Sequence, residues 1–67
     1  MSDVGMKIKE YREGHHDKAL KTLTGLANRA GINKGFLWQI EHGQRNPSLE
    51  TLGKIAGALG VKKAKLV

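Results

Sequence analysis

The sequence predicts an all-α fold, a compact bundle of four to five short helices. Apolar residues recur every three or four positions along most of the chain, and almost no segment shows the alternation of a β-strand. Glycines and capping residues separate the periodic segments. Sixty-seven residues suit one domain, so residues 1–67 are expected to share a single core.

Helix 1 is predicted to run from residue 4 or 5 to residue 13, with Ile8 and Tyr11 facing inward. Helix 2 has two possible starts, because Asp17 and Thr22 are both good N-caps. The helical spacing of apolar residues favours the earlier start, whereas the glycine and threonines within that longer helix weaken it. The start of helix 2 is therefore left open.

Helix 3 is predicted to begin after the N-cap Asn33 and to end near His42. Leu37 and Ile40, joined by Phe36, fall at helical spacing on one apolar side. This side is expected to face the core.

Helix 4 has the clearest boundaries in the chain. Ser48 follows Asn46 and Pro47 and can cap the helix, and Gly60 ends it. The residues predicted to point inward are Leu49, Leu52, Ile55, Ala56 and Leu59. The tail is expected to add one last turn that packs Val61 and Leu66 onto the core.

The charge balance favours a polyanionic partner. Twelve Lys and Arg residues oppose 6 Asp and Glu residues, for a net charge of +6. A basic surface raises encounter rates with nucleic acid and binds it by counterion release. The chain has one Phe, one Trp and one Tyr, which disfavours RNA recognition by base stacking.

Several classes of function are disfavoured. The absence of cysteine excludes disulfides and cysteine zinc sites. His15, His16 and Asp17 show no fourth ligand, so we expect no metal and no cofactor. No grouping of nucleophile, base and orienting residue suggests an enzyme. Without an apolar run of about 20 residues, or a signal peptide's apolar core in residues 1–5, we expect a cytoplasmic, nucleoid-associated protein without membrane contact.

Helices 2 and 3 are predicted to form a helix-turn-helix. They are joined through Ala30-Gly31-Ile32-Asn33, where glycine suits a left-handed turn and isoleucine can point to the core. The outer side of helix 3 then carries Lys34, Gly35, Trp38 and Gln39. Such a helix is a candidate for reading DNA.

Residues 26–61, LANRAGINKGFLWQIEHGQRNPSLETLGKIAGALGV, resemble the lambda-repressor-like helix-turn-helix family, also called the Cro/repressor or xenobiotic-response-element family. The elements LA…AGI, Ile-Glu-x-Gly and NPSLETL agree in order and spacing. Ile8, Tyr11 and Arg12 extend the resemblance into helix 1. It implies a bundle of five helices that binds double-stranded DNA, usually as a homodimer, and regulates transcription.

The resemblance implies roles for individual residues. Lys34 and Gln39 match positions that contact bases, and the expected set of base contacts is Lys34, Gly35, Trp38 and Gln39. Phosphate contacts are expected from Thr22 and Asn33. Lys18 and Lys21 become the expected backbone contacts if helix 2 begins at Asp17. Side chains on the approach to helix 4 are also suited to phosphate, namely His42, Gln44, Arg45, Asn46 and Ser48. Arg12 and Glu41 match a buried structural ion pair between helix 1 and the end of helix 3.

Three departures from the family pattern affect these roles. The connection between helices 1 and 2 is about four residues longer than the connection typical of the family that the chain resembles. Leu23 stands where a phosphate-binding glutamine is common in that family. Gly35 can allow close approach but cannot read bases by hydrogen bonding. Trp38 replaces a small polar residue, and three roles remain open for it: contact with DNA, packing over helices 2 and 3, or contact with a second subunit.

These observations favour a sequence-specific transcriptional regulator, expected to be a repressor. It would insert helix 3 into the major groove and bind a near-palindromic operator as a dimer. The alternative is an antitoxin-type or other protein-interaction module of the same fold, in which DNA binding is secondary.

Overall fold

Four α-helices and two short 3₁₀ turns make up residues 4–67, the part of the chain that the computed structural model describes. The α-helices are α1 (Val4–Glu13), α2 (Leu23–Ala30), α3 (Lys34–Glu41) and α4 (Leu49–Leu59). The 3₁₀ turns are Lys18–Leu20 and Lys63–Lys65. No strand occurs in these residues, and the predicted all-α class is confirmed. Residues 1–3 lie outside the described residues. They belong to the stretch that is predicted to lack a signal peptide's apolar core.

Both proposed starts of helix 2 are used, each for a different element. Asp17 Oδ1 accepts a hydrogen bond from Ala19 N at 2.9 Å and caps the first 3₁₀ turn. Thr22 Oγ1 accepts one from Gly25 N at 3.0 Å and caps α2. Thr22 has an extended backbone (ψ 153°), which separates the two helical segments. The earlier start is therefore a separate 3₁₀ turn, and α2 begins after Thr22.

The core is formed by all four helices, by the first 3₁₀ turn and by Leu66, which follows the second turn. The largest fully buried side chains are Ile8, Leu26, Leu37, Ile40, Ile55 and Leu66. Leu20, in the first 3₁₀ turn, belongs to this core, and Val61 of the tail packs against the core from a partly buried position. Within residues 4–67 no helix combines the length and apolarity needed to cross a lipid bilayer.

Two residues predicted to face inward do not. Tyr11 remains 36% exposed, because the buried side of α1 runs through Ile8 and Arg12 and leaves Tyr11 at its edge. Leu49 is 77% exposed, and burial along α4 starts one turn later, at Leu52. Periodicity predicts the buried side of each helix, but it does not show where that side ends, at its edge in α1 and at its first turn in α4.

Two glycines allow close backbone packing. A Cβ atom on Gly5 would overlap the Ile40 carbonyl oxygen, so α1 lies directly against the end of α3. A Cβ atom on Gly25 would overlap the Ala19 carbonyl oxygen, where the first 3₁₀ turn meets α2. Both positions hold α3 and α2 in place relative to the rest of the bundle.

Candidate nucleic-acid interface

The turn between α2 and α3 has the geometry that the sequence predicts. Gly31 adopts the left-handed conformation (φ 72°), and Ile32 N donates a hydrogen bond to Ala27 O at 2.9 Å. Ala27 is 1% exposed, so the small side chain permits close packing of the two helices. Ile32 packs against the core. The turn thus fixes the direction in which α3 leaves α2.

The two sides of α3 differ as expected. Leu37 and Ile40 are buried, and Phe36 packs against the core from a half-buried position. Lys34 and Gly35 are exposed, and Gln39 is half-buried. The helix is therefore anchored by one side and presents the other to solvent.

Several of the predicted DNA contacts lie together. A shallow concave surface is lined by Asn33, Gly35, Phe36, Gln39 and Arg45. The Gln39 carbonyl accepts hydrogen bonds from the backbone N–H groups of Gln44 at 2.8 Å and Arg45 at 3.3 Å, which holds the following loop against α3. The sequence predicts Phe36 to face the core, but its side chain is half-buried and also lines this surface. The only indication of this in the sequence is that Phe36 lies at the edge of the apolar side of α3.

Asn33 is oriented by its role as N-cap. Its Oδ1 accepts hydrogen bonds from Gly35 N at 2.7 Å and Phe36 N at 3.3 Å. The Oδ1 atom is thereby directed at the helix, and the side-chain NH₂ group is the remaining hydrogen-bonding group of the amide. Asn33 can offer donors to a phosphate while it caps α3.

Trp38 stacks on His42 within the same helical turn. The ring centroids are 3.9 Å apart at an interplanar angle of 18°, and Trp38 is 41% exposed. His42 Nδ1 lies 2.8 Å from the Trp38 carbonyl oxygen. The indole therefore lies along α3 itself, towards its C-terminal end.

Arg12 and Glu41 connect α1 to the end of α3. Arg12 Nε donates to Glu41 Oε2 at 2.8 Å and Arg12 Nη2 donates to Oε1 at 3.0 Å, both in the interior. Arg12 Nη1 also donates to the Lys21 carbonyl oxygen, a contact that the sequence did not indicate. Hydrogen bonding to Glu41 raises the pKa of Arg12 above its ordinary value, against the opposing effect of burial. The guanidinium group thus holds α1, α3 and the approach to α2 together.

The remaining predicted phosphate contacts are distributed over two regions. Lys18, Lys21 and Thr22 lie exposed in and after the first 3₁₀ turn. Gln44, Arg45, Asn46 and Ser48 are exposed between α3 and α4. Ser48 Oγ accepts from Thr51 N at 3.1 Å and caps α4, whose first N–H groups complete this second region.

The cluster of His15, His16 and Asp17 serves internal contacts. His15 Nδ1 accepts from Asp17 N at 3.0 Å, so its Nε2 is the donor to the Leu59 carbonyl at 3.0 Å. Asp17 Oδ2 lies 3.7 Å from Arg29 Nη2 in a salt bridge. The ring of His16 stacks on the ring of His15. Within the described part of the chain no group of three or more His, Cys, Asp or Glu side chains is placed to hold a metal ion.

Comparisons with known proteins agree with this architecture. A helix-turn-helix family model matches residues 8–66. The immunity repressor protein of Bacillus phage phi105 is 39% identical over 64 residues, which are 96% of this chain and 42% of that protein. The HTH-type transcriptional regulator SinR of Bacillus subtilis is 39% identical over 59 residues, 87% of this chain and 50% of SinR. The chain spans half or less of the length of these two relatives.

The fold is also found in a solved structure. The restriction-modification controller protein C.AhdI from Aeromonas hydrophila superimposes with a TM-score of 0.87 and 28% sequence identity, over 97% of this chain and 92% of that chain. The resemblance inferred from residues 26–61 is confirmed by the family match. The chain belongs to the Cro/C1-type helix-turn-helix family.

Proposed function

We propose that this chain is the DNA-binding domain of a transcriptional repressor, which inserts α3 into the major groove of double-stranded DNA. The observation that carries this proposal is the division of α3 into an anchored side and a presented side. Leu37, Ile40 and the Arg12–Glu41 pair hold the helix. Its exposed polar side belongs to a domain with a net charge of +6, which favours a polyanion.

Base recognition is assigned to Lys34 and Gln39. Lysine donates to the O6 and N7 acceptors of guanine, and glutamine can bond to the N6 and N7 of adenine. Each well-fitted bidentate contact discriminates by about 1–3 kcal/mol. Gly35 has no side chain and therefore leaves space for DNA to approach the backbone of α3 closely between Lys34 and Gln39.

Phosphate contacts are assigned to the two exposed regions on either side of α3. The Asn33 NH₂ group and the residues between α3 and α4, above all Arg45, would bind one stretch of backbone. The N-terminus of α4 adds free N–H groups that favour anions. Lys18, Lys21 and Thr22 would bind the backbone from the α2 side. Such contacts set the orientation of α3 in the groove without reading sequence.

A homodimer on a near-palindromic operator is part of the proposal. Two copies would place their α3 helices in major grooves about 34 Å apart, one helical turn of DNA. The relatives named as an immunity repressor and as SinR support a role in transcription. A regulator of this kind would act in the cytoplasm, on the nucleoid.

Selection of bound duplexes from a random DNA pool tests the proposal directly. We expect enrichment of a motif with two related half-sites, and tight binding that weakens steeply as salt is raised. The matched control is the same selection with a Lys34→Ala/Gln39→Ala double variant, which should still fold but lose enrichment. A pool that shows no enriched motif with the unmodified chain would contradict the proposal.

A further inference from the structure

The Trp38–His42 pair has a defined tautomer. A carbonyl oxygen can only accept a hydrogen bond, so His42 Nδ1 must donate to the Trp38 carbonyl at 2.8 Å. The same carbonyl accepts from the His42 backbone N–H at 3.0 Å. In the neutral ring, Nε2 then carries the lone pair. The imidazole is held by its stack on Trp38 and by its Nδ1–H bond, while His42 as a whole is exposed.

Protonation of this ring leaves both contacts in place. The added proton goes to Nε2, which changes from an acceptor into a donor with a positive charge. His15 is the opposite case, because a proton on its Nδ1 would break the bond from Asp17 N.

Charged groups near the C-terminal end of α3 come from the chain next to His42 and from the two helices packed on α3. Glu41 precedes His42, but its carboxylate is bound by Arg12. Arg45 follows in the loop. On the packed elements, α2 carries Arg29, and the titratable residues of α1 are Lys7, Lys9, Glu10, Tyr11, Arg12 and Glu13. None of the salt bridges found in residues 4–67 includes His42.

We infer that Trp38 is a positioning residue that acts on DNA through His42, which binds a backbone phosphate in its protonated form so that duplex binding takes up a proton. This inference rests on the proposed insertion of α3 into DNA. It assigns Trp38 a role other than base contact, since the indole holds the imidazole in the orientation that presents Nε2. It also makes operator affinity increase as pH falls.

The test compares salt dependence at two pH values. Affinity for the selected duplex is measured against salt concentration at pH 6 and pH 8. One additional phosphate contact steepens the slope of log affinity against log salt by about 0.9. We expect this difference in the unmodified chain and its loss in His42→Gln, which keeps an amide donor but cannot gain charge. His16→Gln is the matched control and should retain the difference.

The role of Trp38 is separated from a merely structural one by two variants. Trp38→Leu removes the stack and should lower the pH-dependent part of the slope, whereas Trp38→Phe keeps a ring and should restore it. A direct contact between the indole and DNA would instead lower affinity equally at both pH values. Thermal unfolding of each variant establishes that it is folded.

The outcomes distinguish this inference from the proposed function. Specific binding with equal salt slopes at pH 6 and pH 8 overturns the inference and leaves the DNA-binding proposal intact. A duplex pool without an enriched motif overturns both. Nitrogen-detected NMR of the free protein at pH 8 gives an independent answer, because a proton on Nε2 in place of Nδ1 of His42 would contradict the geometry on which the inference depends.

Discussion

Asn33 uses different atoms of one amide for capping and for the proposed phosphate contact. Replacing it by aspartate keeps the Oδ1 acceptor and removes the NH₂ donors. We expect Asn33→Asp to change the free energy of unfolding by less than about 0.5 kcal/mol, since both residues are good N-caps. DNA affinity should fall for every sequence, because a carboxylate repels phosphate.

Asn33→Ala is the comparison for this prediction. It should lose about 1 kcal/mol of stability together with the cap. Denaturant unfolding and duplex titration of both variants measure the two effects separately. Undiminished DNA binding by Asn33→Asp would place Asn33 away from the phosphate backbone.

Gln39 and Arg45 line the same concave surface but are assigned different tasks. Gln39→Ala should relax specificity at one or two base pairs, with a loss of about 1–3 kcal/mol for the preferred sequence. Arg45→Ala should weaken all sequences similarly and reduce the salt slope by about 0.9. Titrations against a panel of single-base operator variants check both. If the two variants scale every sequence equally, Gln39 does not read bases.

The Arg12–Glu41 pair lies in the interior, so removal of one partner leaves an unpaired buried charge. We expect Glu41→Ala to cost about 3–5 kcal/mol of stability. Glu13→Ala is the matched control, because Glu13 is exposed and lies 3.9 Å from Arg12. Its loss should change stability by less than about 1 kcal/mol. Similar results for the two variants would show that the buried pair does not stabilise the bundle.

The pKa of Arg12 determines how its contribution varies with pH. The folded-state pKa of Arg12 is raised, so the stabilisation is fully present below the unfolded-state pKa and is lost only as pH rises through the folded-state pKa. The contribution of the Arg12 charge should therefore be constant between about pH 5 and pH 9. The difference in stability between the unmodified chain and an Arg12→Met/Glu41→Leu double variant, which leaves no unpaired buried charge, checks the expectation when it is measured across this range.

At the scale of elements, the contact between the first 3₁₀ turn and α2 depends on Gly25. Gly25→Ala should destabilise the domain by about 1–3 kcal/mol or more, because the new Cβ would meet the Ala19 carbonyl. Gly57→Ala in α4 is the control, since a Cβ there meets nothing within 4 Å. It should stabilise the chain by about 0.5–1 kcal/mol through helix propensity. Equal effects of the two substitutions in thermal unfolding would contradict the close packing at Gly25.

The ends of the elements could be predicted from the sequence because capping is local. Thr22, Asn33 and Ser48 each bind backbone N–H groups within three residues, and Gly31 and Gly60 adopt the left-handed conformation. Such signals require no knowledge of the rest of the fold. Both candidate starts of helix 2 are true N-caps: Asp17 caps the first 3₁₀ turn and Thr22 caps α2.

The features that could not be predicted from the sequence are mostly contacts between segments distant in the chain. The exposure of Leu49 depends on how far the neighbouring helices extend, and the need for glycine at positions 5 and 25 depends on which backbone lies opposite. The bond from Arg12 to the Lys21 carbonyl is of the same kind. In the candidate site, residue types suggested Lys34 and Gln39. The stack of Trp38 on His42 is a local contact between residues four positions apart, and it depends on the side-chain rotamers, which the sequence does not fix.

At the scale of the whole molecule, the net charge of +6 and the proposed dimer predict how binding responds to conditions. Log affinity should fall linearly with log salt, by about 0.9 for each phosphate contact in the complex. Two chains should bind each operator cooperatively as the chain concentration rises. Analytical ultracentrifugation of the complex measures the stoichiometry. A single chain on an operator with two intact half-sites would contradict the dimer.

The anchoring of α3 from one side has a consequence for redesign. The residues that hold the helix are Leu37, Ile40 and Glu41, and none of them is assigned to DNA. Lys34 is exposed and Gln39 is half-buried, so both can be exchanged with little change to the core. A library randomised at these two positions should consist largely of folded proteins, from which domains with new operator preferences can be selected.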